Sequence, residues 1–286
     1  MNAFCNFLHF FSLYFRTSFL AVILTQLFNF NRHRLTDIVN SAASTYTSLF
    51  AQRRQSSLLF AVNELVRSFG NDISCSRTIC LSVEEVILRT SASLQTLSDF
   101  DDAPDVVDDA FLLVKTCLKY CPKALANPRI VASTLDMLIC GVHVQHREAC
   151  CSMLDFMRNL LYARNEDLVD ILGQVLPPRG GALVRSLLAG ALGALPSSRV
   201  SDITGVIAAL LSCTCAQSVV WLSEATSLIP DHVTSQRDKD VFLHAVSKFA
   251  KSGDGHTLGK SLDDLSELCR RSKRHRIAVA ESLLKT

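Results

Sequence analysis

The sequence predicts an all-α fold in which helical hairpins stack as an α-solenoid. Three observations carry this. Apolar residues recur at three- and four-residue intervals along nearly the whole chain after residue 31, the period of an amphipathic helix. The 11 glycines and 7 prolines are sparse and sit mostly between those runs, where they act as breaks. No stretch alternates with the period of two that a half-buried strand requires. Helices that each carry one apolar face, with no sheet to cover it, must bury that face on their neighbours.

The pattern is clearest between Pro104 and Leu161. Val106, Val107, Ala110, Phe111, Val114, Cys117 and Leu118 mark one helix, ending at Cys121-Pro122. Ile130, Val131, Leu135, Leu138 and Ile139 mark a second, ending at Gly141. Ala149, Cys150, Met153, Phe156, Met157, Leu160 and Leu161 mark a third, and Phe111, Met153, Phe156 and Leu160 are expected to share one core.

The other elements follow in chain order. From Phe4 to Phe30 the chain is almost wholly apolar and rich in phenylalanine, with Arg16 its only charge. An apolar leading helix is expected there. Its length suffices for a membrane span of about 20 residues, but a basic group near the middle costs about 2.5–3.5 kcal/mol. Two readings stay open: a span, or a start unrelated to the rest. A signal peptide fits poorly, since no basic residue precedes the apolar run. The composition changes at residue 31, which places a boundary there and a solenoid over 31–286. Helices are then expected over 34–51, 56–69 and 75–98. A loop carrying Asp99, Asp101 and Asp102 leads to Pro104, a residue suited to a first helical turn. After residue 163, helices are expected over 167–176, 182–195, 201–212, 218–229, 238–250, 258–270 and 277–284. Paired, they repeat at about 40 residues, near the length of HEAT or armadillo units.

Composition narrows the function classes. The net charge of +2 is too small to make nucleic acid the main partner. Eleven scattered cysteines, with no Cys-x-x-Cys pair, read as core residues of a chain in a reducing compartment. His143, His146 and Glu148 straddle a helix start without a second clustered pair, so no metal is expected. Arg147 and Arg158 are read as ion-pairing or capping groups. The acidic group Asp99, Asp101, Asp102, Asp105, Asp108 and Asp109 reads as a solvated loop, with attraction of a basic cargo segment as the sharper alternative. The basic run Arg270–Arg276 reads as a solvated turn; no aromatic residue interleaves with it for base stacking. Gly180-Gly181 lacks a phosphate-loop pattern, and Gly190 and Gly193 read as close-packing positions. No nucleophile–base set stands out. No enzyme and no cofactor are expected.

Three segments carry a resemblance: Pro104–Phe111 with Tyr120-Cys121-Pro122, then His146–Leu160, then Gly181–Leu188 through Leu195-Pro196 to Val219-Val220-Trp221-Leu222. Their order and spacing resemble the C-terminal part of the transportin-3 and importin-13 branch of the importin-β (karyopherin) superfamily, over roughly residues 35–286. The resemblance implies a HEAT-repeat superhelix, monomeric, without a cofactor, that moves between cytoplasm and nucleus and binds protein cargo such as serine/arginine-rich splicing factors. The repeats that in this family grip the GTPase Ran have no counterpart in the sequence, so Ran binding is not carried over. Neither is any individual cargo-contact residue. The alternative reading is a helical scaffold held at a membrane by residues 4–30, without a transport role.

Overall fold

The computed structural model describes residues 32–285, with side chains from 36 onward. The apolar run 4–30, and with it the expected leading helix, lies outside the described residues. Among the described residues there is no strand, and no helix is long and apolar enough to cross a membrane. Among the described residues, fifteen α-helices follow one another in two compact units.

The first unit comprises α1 (Arg32–Arg53), α2 (Ser56–Phe69), α3 (Ile73–Ser93), α5 (Pro104–Tyr120), α6 (Pro122–Leu125) and the opening of α7 (Pro128–Gly141), up to Ser133. Here α2 packs along α5, and α1 along α3. Phe50, Leu59, Leu65, Phe69, Ile79, Val86, Phe111, Val114 and Leu125 fill the core, all at 2% exposure or less. Gly70 ends α2 against α5: a Cβ there would stand 2.5 Å from the Tyr120 carbonyl oxygen, so only glycine permits the approach.

The second unit holds α4 (Leu97–Asp102), the remainder of α7, α8 (Arg147–Leu161), α9 (Glu166–Val175), α10 (Pro177–Ala189), α11 (Val200–Cys213), α12 (Cys215–Ser227), α13 (Gln236–Ser252), α14 (Gly255–Arg270) and α15 (Lys273–Leu284). Its helices start on local signals. Asn165, Asp254 and Ser272 accept hydrogen bonds from the backbone N–H three residues on, and Ser235 with Asp238 closes a capping box at α13. Gly253 ends α13 in a left-handed conformation, φ 71°. Met153, Phe156 and Leu160 are fully buried in this unit, whereas Phe111 is buried in the first.

Four expectations need correcting. The helix expected over 75–98 stops at Ser93, because Thr96 and Asp99 start a new one. Asp99 accepts from the N–H groups of Gln95 (3.0 Å) and Thr96 (2.7 Å), which makes the expected aspartate loop the short helix α4. Phe100 anchors α4 on Gly141, where a Cβ would fall 2.1 Å from the ring. The helix expected over 182–195 begins instead at Pro177, since a proline at a helix start gives up an N–H that has no partner there anyway. It ends at Ala189 and passes into a single π-turn, Gly190–Ala194, with Gly193 at φ 154°. Lastly, the basic run is a turn only at Arg271 and Ser272, because Ser272 caps α15.

Stacking of each hairpin only on the next also fails in one place. Helices α14 and α15 pack back on the π-turn, and α15 packs on α10 as well. The Arg270 guanidinium donates to the carbonyls of Gly190 (3.2 Å) and Ala191 (2.8 Å), and Ser266 Oγ donates to Ala191 O at 2.6 Å. Gly190 O also accepts from Leu195 N at 3.2 Å, so these side chains add to the backbone bonding of a helix end.

Candidate functional site: an arginine-lined groove

The second unit presents a groove between the solvent face of α8 and the segment leading into α11. On α8, residues Arg147, Cys151, Asp155 and Arg158 recur at helical spacing along one face. Met153, Phe156 and Leu160 face the core. Opposite α8, a short 3₁₀ turn, Ser197–Arg199, follows Pro196 and delivers Arg199, and the first turn of α11 delivers Asp202. The cleft lined by these groups holds about 440 Å³, and a neighbouring cleft of about 260 Å³ continues it over Val144, Leu195 and Pro196. Arg147, Ser198 and Arg199 line both.

Charge alternates along the groove. Arg158 pairs with Asp155 (2.7 Å), and Arg199 with Asp202 (2.9 Å). The Arg199 guanidinium also donates to Cys151 Sγ. Arg147 is exposed and makes no ion pair among the described residues, so three guanidinium groups face two carboxylates. Arg158 is exposed and Asp155 half-buried, so solvent screens the pair, and Asp155 also accepts from Asn159 Nδ2 at 3.1 Å.

A second cleft, of about 630 Å³, lies in the first unit between α1 and α3. Glu84, Glu85, Arg89 and Arg129 line it, and their charges cancel: Arg89 pairs with Glu85, and Arg129 stands 3.8 Å from Glu84.

The other residues singled out by sequence are placed as follows. His143 is buried, with Nε2 2.8 Å from Ser186 O, and desolvation lowers its pKa, so it stays neutral. His146 occupies the N-cap of α8, 3.8 Å from Glu148. No group of His, Cys, Asp or Glu able to hold a metal occurs among the described residues. Asp101 accepts from Gln145 N (3.3 Å), and Asp109 from Ser56 (2.6 Å); the acidic cluster is therefore partly structural. Gly180 lies under the Trp221 indole. A Cβ at Gly190 would fall within 3.2 Å of Leu195 and Ile203, and one at Gly193 within 2.7 Å of Arg276, so both are close-packing positions. Arg147 and Arg158 were legible as charged groups, whereas Arg199 and Asp202 were not. Their only signal is an arginine three residues ahead of an aspartate, at the break after Pro196.

The comparisons with known proteins bear on this arrangement. The chain is 32% identical over 228 residues to Transportin MOS14 of Arabidopsis thaliana, a match covering 78% of this chain and 24% of that protein. The chain is importin-β-like. An uncharacterized protein of Schizosaccharomyces pombe is 23% identical over 186 residues, 59% of this chain and 20% of its own length. Among solved structures, importin-13 in its cytosolic state superposes with a TM-score of 0.72 at 13% identity, covering 87% of this chain and 28% of the other. That likeness shows the fold: an all-α solenoid of the importin type. No protein-family model matches the chain. The importin-β-like chain spans less than a quarter of the length of these two curated relatives.

Proposed function

We propose that this chain is a cargo-binding part of an importin-β-like nuclear import receptor, acting between cytoplasm and nucleus on protein cargo such as serine/arginine-rich splicing factors. The observation that carries the reading is the 32% identity to a transportin, joined to the importin-type fold. The mechanism is one of binding, not of reaction: stacked helices offer an extended surface on which many modest polar contacts add.

Within that surface the groove of α8 and α11 is the proposed contact. Its guanidinium and carboxylate groups alternate, which suits a cargo segment that itself alternates arginine with phosphoserine. Arg147 is free to take a phosphate in a bidentate, charge-assisted bond, while Asp155 and Asp202 can exchange their internal arginines for those of the cargo. Exposed charge pairs are worth little singly and are screened by salt, so affinity should fall steeply with ionic strength.

The test is retention of serine/arginine-rich peptides, phosphorylated and unphosphorylated, on the immobilised full chain. The expected result is retention of the phosphorylated form, weakened about tenfold by Arg147→Glu. Retention of neither form would overturn the cargo reading. Retention unaffected by Arg147→Glu would overturn the groove as its seat.

A further inference from the structure

Outside the groove, the first unit holds a pair of thiols that cargo binding does not use. Cys80 lies on α3 and Cys121 in the break between α5 and α6, 41 positions apart, and their Sγ atoms are 3.7 Å from one another. A disulfide needs about 2.0 Å, so closure requires a shift of about 1.7 Å, within reach of a side-chain rotation at the end of a helix. Cys121 is buried, and Cys80 is half-buried, open enough for a small oxidant.

Their environments differ in the sense that such chemistry needs. A hydrogen bond from Cys121 holds the Cys80 thiol down to about 7, and Ser76 and Lys123 act in the same direction against burial. The same contact, with burial, pushes Cys121 up. Cys80 therefore ionises first while Cys121 keeps its proton. Burial instead raises Cys75, Cys117, Cys150 and Cys269, and a thiol that stays protonated is a poor nucleophile.

We propose that Cys80 and Cys121 form a reversible disulfide, with Cys80 as the thiol a hydroperoxide oxidises and Cys121 as the thiol that resolves it. In the first step the Cys80 thiolate attacks a peroxide oxygen. The O–O bond breaks, Cys80 becomes a sulfenic acid, and the released hydroxide takes a proton to become water. In the second, Cys121 sulfur attacks Cys80 sulfur; the S–O bond breaks, and the hydroxyl leaves as water with the Cys121 proton. Two thiols and one hydrogen peroxide thus give one disulfide and two waters, with two electrons passing to the peroxide. A thiol reductant reverses the bond, as expected of a transient disulfide in a reducing compartment. Once formed, the bond staples α3 to the α5–α6 junction and constrains the unfolded chain.

The experiment treats the full chain with hydrogen peroxide at neutral pH, without cargo, then blocks free thiols with N-ethylmaleimide and maps the digest by mass spectrometry. A linked peptide containing Cys80 and Cys121 is expected, removed by dithiothreitol, together with a thermal midpoint raised by several degrees. In Cys121→Ser, Cys80 should stop at the sulfenic acid and be trapped by dimedone. Over-oxidation of Cys80 in the unaltered chain with no link would overturn the proposal. So would oxidation confined to Cys151, Cys213 or Cys215 while Cys80 stays alkylable. Mapping of the unaltered chain decides the matter even if the variant does not fold.

Discussion

Two adjacent glycines in the first turns of α10 face opposite fates on substitution. A Cβ at Gly180 would stand 2.3–2.4 Å from three atoms of the Trp221 indole, whereas one at Gly181 would find its nearest neighbour, Arg185 Nη1, at 3.6 Å. Ordinary carbon contacts begin near 3.5 Å, so Gly180→Ala closes more than ~1 Å of space that the ring now fills. Overpacking of this kind costs about 1–3 kcal/mol. Both substitutions gain about 1 kcal/mol from the better helix propensity of alanine. Gly181→Ala is therefore expected to stabilise the chain by about 0.5–1 kcal/mol, and Gly180→Ala to destabilise it by up to about 2 kcal/mol.

The difference between the two variants, about 1–3 kcal/mol, isolates the contact, because the propensity gain cancels. Urea melts and thermal midpoints read it, at about 2–4 °C per kcal/mol in a chain of this size. Trp221 is the single tryptophan of the chain and is half-buried, so its emission reports the same event. The indole turns on two torsions and should swing outward, shifting emission to the red in Gly180→Ala and not in Gly181→Ala. Gly180→Ala as stable as Gly181→Ala, with unchanged emission, would refute the packing of α10 on α12.

Two further outcomes are expected. Arg270→Met should cost about 1–3 kcal/mol in urea melts, because the carbonyls of Gly190 and Ala191 lose their charged donor inside the fold. Burial pushes the Asp109 carboxyl up to about 6, more than the Ser56 hydrogen bond lowers it. The folded state then binds a proton that the unfolded state has lost, so this group's contribution is present below about pH 4 and is lost as pH rises through about 6. Relative to Asp109→Asn, the unaltered chain should lose about 1–3 kcal/mol across that interval in melts followed by circular dichroism.

Much of this architecture could be read from local pattern, and the exceptions share a physical cause. Ser56–Phe69 was legible to the residue, and Pro104–Tyr120 to within a residue or two of its expected end at Cys121-Pro122, because three or more turns of apolar spacing lie between breakers. The helices Leu97–Asp102 and Pro122–Leu125 were not, since a turn or two cannot display a period. Each is held by one anchor, Phe100 or Leu125. The prolines at 177 and 178 read as a stop but open a helix, a distinction that depends on whether the preceding N–H groups need partners. Groove and thiol pair failed for a different reason. Arg199 meets Cys151 across 48 residues, and Cys80 meets Cys121 across 41. No local spacing encodes such a meeting.

The return of α14 and α15 onto the π-turn carries the same lesson into energetics. In a stack where each hairpin touches only the next, stability is close to a sum of nearest-neighbour terms. Here Ser266 and Arg270 bond carbonyls 75 to 80 positions earlier in the chain, and Gly193, at φ 154°, leaves room for Arg276 where a Cβ would lie 2.7 Å from its Cγ. A side chain at 193 would be strained by that backbone and would push α15 away. Within the π-turn Gly190 O accepts from Leu195 N, and Ser266 and Arg270 of α14 add donors to the carbonyls of Gly190 and Ala191. Helices α10 through α15 are thereby joined into one cooperative body, so damage at Arg270 should be felt at α10, where the sole tryptophan packs.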